Sequence, residues 1–331
     1  MTKFYFNIDV LGFGACNLTC PSCPVGNMPD APNPKGLMEP ALLQAILDKA
    51  ARECDLEGVA LFNWTEPMLH PRLPELVRIV RSFNIRCDLS SNLNKLKNID
   101  AILGADPTSF RISNSGFTQE VYELGHRGGN INLVKANMIE LAAAKKRTSS
   151  STELHLLYHR YSHNLDEEVR MNNFCSELGI GFIPVWAFMM PLEKLMAHLD
   201  RDVSSTTITS DDTALMGRLL LPVDEALAAA QAHRRKPCTL QTQQMTLDFQ
   251  GNVQLCCATY DSSRFTLGAY LDISLADLQS TKARDKTCAR CIKHGIHVYY
   301  TYAAPEFEEI ARRHAAEHQH PVLDATPAVR T

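Results

Sequence analysis

Three cysteines stand close together early in the chain, in GACNLTCPSCPVGN, as Cys16, Cys20 and Cys23. The Cys-x3-Cys-x2-Cys spacing puts three thiolates on one short loop, enough to grip three irons of a cubane cluster. The fourth iron is then left without a protein ligand and is open to chelate the amino and carboxylate groups of a small molecule. The competing chemistry is zinc. That ion is usually held by four Cys or His ligands, so His70 or a distant cysteine would have to complete the set.

A second group lies near the other end. Cys238, Gly251 and Cys256 follow the pattern Cys-x12-Gly-x4-Cys, and Cys288 and Cys291 form a Cys-x2-Cys pair. A hairpin turning at the glycine would bring Cys238 and Cys256 together, and the later pair completes four thiolates. By itself this pattern fits a zinc ribbon. Cys257 adjoins Cys256, and strand alternation puts only one of the two on a given face. The chain has 11 cysteines, and Cys54, Cys87 and Cys175 stand alone among apolar neighbours, as ordinary buried thiols do. In a reducing compartment, clustered cysteines point to metal or redox chemistry before disulfides.

The elements that must position these groups alternate along residues 4–190. Strands are predicted over 4–11, 58–63, 85–91, SFRISNS (109–115), 153–159 and 180–188. Helices are predicted over 38–54, with Leu42, Leu43, Ile46, Leu47 and Ala50 on one face, and over 71–83, 130–146 and 165–178. About six β–α units in series imply a parallel sheet with helical crossovers, and six are too few for a closed eight-fold barrel. The expected fold is therefore α/β, a partial (β/α)6 barrel, with ligand sites in the loops beyond the carboxyl ends of the strands. The first cysteine group follows the first strand directly. Residues 200–215 are polar and predict a connecting loop, 213–233 a helix, 244–257 a hairpin around Gln250-Gly251-Asn252, and 274–285 a short helix. The end is expected to fray from about residue 318.

In these motifs the sequence resembles the radical S-adenosylmethionine (SAM) superfamily. FNWTEP (62–67) stands where that family has a Gly-Gly-Glu-Pro loop whose backbone edge bonds the SAM amino group, with Thr65 in place of the glycine before Glu66. LSSN (89–92) supplies Ser90 and Asn92 where the family places ribose contacts, and SNSG (113–116) supplies Ser113 at the end of the fourth strand. HRGGN (126–130) resembles the Arg-Gly-Gly segment, so Arg127 is expected to pair with the SAM carboxylate through its planar fork. The second cysteine group resembles the start of the SPASM extension. With no cysteine after Cys291, it looks like the shortened twitch form, a β-hairpin plus helix holding one auxiliary 4Fe-4S cluster on Cys238, Cys256, Cys288 and Cys291. The Gly-x4-Cys register favours Cys256 over Cys257 as ligand, leaving Cys257 as a packed thiol or a hydrogen donor near substrate. Four segments follow: the barrel over 1–200, a linker and helix over 201–235, the auxiliary-cluster domain over 236–303, and a C-terminal helix and tail over 304–331.

The resemblance implies an enzyme that binds SAM at a 4Fe-4S cluster and uses a 5′-deoxyadenosyl radical to abstract hydrogen from an unactivated carbon. A flavodoxin- or ferredoxin-type donor would supply the electron. Only fifteen residues precede Cys16, too few for a peptide-leader domain. That favours a small polar metabolite, a sugar, aminocyclitol or nucleoside, undergoing dehydrogenation or epimerisation, so an oxidoreductase or epimerase. Radical modification of a ribosomally made peptide is the alternative, and a non-catalytic metal-cluster protein is the reading from another class. Tyr158, His159 and Arg160, in YHRYSHN, are the foremost candidates to face substrate. His70, His155, Tyr161, His163, Trp186 and Glu193 complete the set.

Composition sets the remaining bounds. The chain has 331 residues, is 45% hydrophobic and 21% charged, and carries a net charge of −4, too mild for a nucleic-acid groove or an anionic membrane surface. No apolar run approaches the roughly 20 residues of a membrane-spanning helix, and the start lacks a signal-peptide pattern. A cytoplasmic location is expected.

Overall fold

The computed structural model describes residues 3–200, 208–318 and 322–323. Nine strands form one sheet: β1 (Lys3–Ile8), β2 (Asp55–Ala60), β3 (Arg86–Ser91), β4 (Ser109–Asn114), β5 (Glu153–Arg160), β6 (Gly181–Trp186), β7 (Gln244–Leu247), β8 (Asn252–Gln254) and β9 (Thr266–Ala269). Their order is β6-β5-β4-β3-β2-β1-β7-β8-β9. The first six pair in parallel with their sequence neighbours, as five successive right-handed β–α crossovers would place them.

Alternation along the strands assigns the two faces. Phe4, Phe6 and Ile8 of β1, Cys87 and Leu89 of β3, Phe110 and Ile112 of β4, and Leu154, Leu156 and Tyr158 of β5 are buried in one large core. They pack against apolar stripes on the helices Pro40–Glu53 (Leu43, Ile46, Leu47, Ala50), Leu73–Ser82 (Leu76, Val77, Val80) and Ile131–Arg147 (Val134, Met138, Leu141). Each Leu, Ile, Val, Met or Phe among them, fully buried, contributes about 1.5–3 kcal/mol. The alternate row is polar: Asn7, Ser90, Arg111, Ser113, His155 and His159 occupy it and are only partly covered. Asp88, also in this row, accepts hydrogen bonds from Ser109 Oγ at 2.6 Å and from the Tyr5 hydroxyl. The helices thus cover one face of the sheet, and the other carries polar groups.

The hairpin expected around residue 251 forms, with Gly251 at φ +80° in the turn, a left-handed conformation suited to glycine. β7 lies parallel to β1, with Tyr5 opposite Gln244 and Ile8 opposite Leu247, so the hairpin continues the main sheet. A second core, formed by Trp186, Met189, Leu195, Leu220, Leu227, Val298, Tyr299 and Phe307, packs the helices beyond β6 together with those near the C-terminus.

The connection after β6 departs from the sequence reading. Of the expected loop 200–215, residues 210–215 are helical, because Thr209 and Asp212 form a capping box at the start. The helix expected over 213–233 is two helices, Ser210–Met216 and Val223–Ala232, separated at Gly217 and Pro222. Residues 201–207, and most of the tail expected beyond 318, lie outside the described residues. A helix, Glu306–Glu317, precedes that tail.

Candidate functional site

Beyond β1 the chain leaves the sheet through Val10 and Leu11, both buried, and turns at Gly14, where φ is +81°. Cys16, Cys20 and Cys23 follow on this loop, and Cys23 stands before a short helical turn, Pro24–Asn27. Burial raises all three thiols, Cys16 to about 11, Cys23 to about 12 and Cys20 well above the usual value. Repulsion from Cys23 and Cys16 adds to the rise at Cys20, so the three sulfurs share one environment. Cys16 Sγ accepts from Leu18 N at 3.4 Å and from Asn92 Nδ2 at 3.6 Å. Among the described residues, no three His, Cys, Asp or Glu side chains converge as ligands of a single ion would. A cubane needs no such convergence, because each thiolate binds its own iron. Three thiols in one shared environment have the donor set that such a cluster takes.

Two buried carboxylates fasten the neighbouring loop, 62–67. Asp9 accepts from Asn63 N at 3.0 Å, Trp64 N at 2.9 Å and Thr65 Oγ1 at 2.7 Å. Glu66 accepts from Met68 N at 3.1 Å and Asn92 N at 2.8 Å, while its own N–H donates to Ala15 O at 3.0 Å. Burial raises both acids to about 7, and the hydrogen bonds oppose that rise. The side chains of Thr65 and Glu66 are thus committed to holding the loop in place beside Cys16. Sequence reasoning missed Asp9 in this role; the signal was a carboxylate set directly after an apolar strand.

The remaining expected SAM contacts are spread along the same edge. Asn92 Nδ2 reaches both Cys16 and, at 3.1 Å, Asn17 Oδ1. Ser90 and Ser113 lie on the polar row, Ser90 opposite Arg111 and Ser113 opposite Leu157. Arg127 accepts Thr19 N on its backbone carbonyl at 3.1 Å, which fixes it beside the cysteine loop. Its guanidinium pairs with Asp211 at 2.9 Å. Next to it, buried His126 bonds Ser115 Oγ at 2.7 Å and stacks on Tyr122 at 4.8 Å between ring centroids.

The residues expected to face substrate divide by strand parity. Tyr158 and Arg160 lie in the buried, helix-facing row. Tyr158 donates to Asn164 O at 2.7 Å, and Arg160 is fully buried, paired with Glu168 at 2.5 Å and set 4.6 Å from the Trp186 ring. That row is closed to the polar face, so neither side chain reaches it. His159 projects the other way, its ring 6.4 Å from that of His126, and burial lowers it to about 4. His155 shares its row. Tyr161 is buried, in electrostatic contact with Cys20 and Cys23, and stacks on His163, whose two ring nitrogens are buried without hydrogen-bond partners. His70 is tied to Met38 O and Arg72 N, Trp186 to Glu308, and Glu193 to the backbone N–H groups of Tyr260 and Asp261.

The second cysteine group surrounds one cavity. Cys238, Cys256, Cys288 and Cys291 line it, with Leu192 and Tyr300 among the apolar wall. Asp285 caps the helix Lys286–Lys293 by accepting Thr287 N at 2.7 Å and Cys288 N at 3.1 Å, which fixes the last two thiols on one face. Cys257 is not part of this wall; its thiol bonds Cys256 and is held well above the usual value by that bond. Four half-buried thiols around one cavity have the donor set that a fully ligated cluster takes. The loop 62–67 ties this group to the first, because Asn63 Nδ2 donates to Cys257 O at 3.2 Å and Trp64 Nε1 to Thr259 O at 2.8 Å. Phe13, Trp64 and Tyr260 pack in between, with Cys23 against them.

No family profile matches the chain, and no curated protein matches it in sequence. Solved structures do. The chain is similar to a polyhistidine-tagged anSMEcpe with bound AdoMet, at 14% identity over 96% of both chains and a TM-score of 0.58. It is similar to native anSMEcpe with bound AdoMet and Cp18Cys peptide, at 15% identity over 92% of this chain and 87% of that one, TM-score 0.54. Streptococcus suis SuiB bound to precursor peptide SuiA matches at 10% identity over 87% of this chain, TM-score 0.54; the match spans 66% of the SuiB chain. The chain has the fold of radical SAM enzymes. No helix among the described residues is long and apolar enough to cross a membrane.

Proposed function

We propose that the protein is a radical SAM enzyme. The observation that carries this is the placement of Cys16, Cys20 and Cys23 beyond the carboxyl end of β1, fastened through Asn92 to the end of β3 and through Ala15 to the loop after β2. The three thiols would hold a 4Fe-4S cluster, and Cys238, Cys256, Cys288 and Cys291 an auxiliary one, within residues 236–303. When bound, cluster and SAM together supply an electron and a hydrogen-abstracting radical. The chain's part is positioning. The braced backbone at 63–66 would take the SAM amino group, Arg127 its carboxylate, and Ser90, Asn92 and Ser113 its polar edge. Phe13, Trp64, Tyr161 and Tyr260 would keep water from the space between the two thiol groups.

The substrate we propose is a small polar metabolite that is dehydrogenated or epimerised. The polar row of the sheet supports this: His159 projects from it, is pushed toward the neutral form by burial, and offers one donor and one acceptor to hydroxyl groups, with the His126 ring 6.4 Å away. A peptide substrate is the second reading, favoured by the peptides bound to SuiB and anSMEcpe. Anaerobic reconstitution, iron and sulfide assay, and detection of 5′-deoxyadenosine under reducing conditions test the assignment. Two clusters' worth of iron and SAM cleavage are expected; zinc without iron would overturn it. Transfer of deuterium from labelled sugars or from labelled peptides into 5′-deoxyadenosine separates the two substrates.

A further inference from the structure

Lys282, on the helix Leu275–Arg284, is 1% exposed. Its Nζ donates to Leu240 O at 3.0 Å and Gln244 O at 2.9 Å, and its own carbonyl accepts Gln241 Nε2 at 3.1 Å. Leu240 and Gln241 belong to the wall of the four-cysteine cavity. The ammonium interacts electrostatically with the thiols of Cys256, Cys288, Cys257 and Cys238. Among the described residues no carboxylate forms an ion pair with it.

A buried ammonium without a counter-anion is costly, and two carbonyl dipoles offset only part of that cost. Four thiolates around a metal cluster are anionic, and each electron added makes them more so. A fixed cation beside them, in a medium of low dielectric, stabilises the reduced form more than the oxidised one. We propose that Lys282 is the counter-charge of the four-cysteine site and holds its cluster at a less negative reduction potential. The proposal rests on the auxiliary-cluster reading of those cysteines. Lys282 is a positioning residue in this sense: it acts through the cluster and touches no substrate.

The test uses the full chain, reconstituted anaerobically, as wild type, Lys282→Gln and Lys282→Arg. The glutamine keeps a donor for the two carbonyls and removes the charge, while the arginine keeps the charge. Potentiometric titration followed by electron paramagnetic resonance reads both clusters. At the wild-type midpoint of the auxiliary cluster, Lys282→Gln should lower the reduced-to-oxidised ratio at least tenfold, about 59 mV for a one-electron couple. Lys282→Arg should retain the wild-type ratio, and the cluster on Cys16, Cys20 and Cys23 should titrate unchanged in all three. Auxiliary iron lost from Lys282→Gln but kept by Lys282→Arg would also support the charge role. An unshifted Lys282→Gln, or equal effects of both substitutions, would overturn it. Wild-type protein with iron for one cluster only would overturn the four-cysteine reading itself, an outcome that iron content distinguishes before any potential is measured.

Discussion

The Asp9 carboxylate accepts the backbone N–H of Trp64 at 2.9 Å, so the end of β1 clamps the loop that follows β2. The Trp64 indole extends the clamp across to Thr259, on the cysteine-rich hairpin side.

The clamp has a pH signature. Burial raises Asp9 to about 7, so the folded chain keeps its proton up to that pH, while the unfolded chain loses it near pH 4. The contribution of this group to stability therefore declines as pH rises from about 4 to about 7 and is level above. Asp9→Asn should flatten that decline in urea-unfolding midpoints of the metal-free protein. Asp9→Ala leaves donors at Asn63, Trp64 and Thr65 without their acceptor and should cost about 1–3 kcal/mol per group left buried and unpaired.

Arg160 and Glu168 are a buried pair, 1% and 0% exposed at their side chains. Replacing one partner alone, as in Arg160→Met, should destabilise the fold by about 3–5 kcal/mol, because the other charge is left buried. The folded fraction should still cleave SAM at the wild-type rate. A loss of rate per folded molecule, measured by 5′-deoxyadenosine release, would return Arg160 to the substrate side.

Arg127 meets Asp211 at the surface, where such pairs contribute about 0–1 kcal/mol. If SAM takes the same guanidinium, Asp211 competes with its carboxylate. Asp211→Asn should tighten SAM binding by a factor of about 2–5, within what a pair of that strength allows. Arg127→Met should weaken binding at least tenfold, both by equilibrium dialysis against reconstituted protein.

Cys256 and Cys257 are adjacent in sequence but placed differently, since only Cys256 is on the cavity wall. Cys256→Ser should lose the auxiliary iron while keeping that of the first cluster. Cys257→Ser should keep both, and iron and sulfide per chain read the difference.

Much of this was legible in residue spacing. The six parallel strands show as apolar runs of period two separated by amphipathic helical stretches, and the cysteine groups show as tight thiol spacings. Orientation was harder. YHRYSHN displays seven polar or aromatic side chains together, yet strand parity sends Tyr158 and Arg160 into the core and His159 to the polar face, a division set by register. The parallel pairing of β7 with β1 joins residues some 240 positions apart, beyond any local pattern. Lys282 was invisible as well, because a lysine among Arg284 and Lys286 reads as a solvated helix face until packing buries it.

That long-range pairing has a consequence for how the chain can be divided. β7 and the residue before it supply the acceptors for Tyr5 N, at Gln243 O, and for Asp9 N, at Leu247 O, each at 2.9 Å. Cutting the chain before β7 would turn β1 into a bare sheet margin, a row of unsatisfied amides that invites pairing with other molecules. An isolated barrel fragment should therefore self-associate, and the two cysteine-bearing halves should melt together as one cooperative unit.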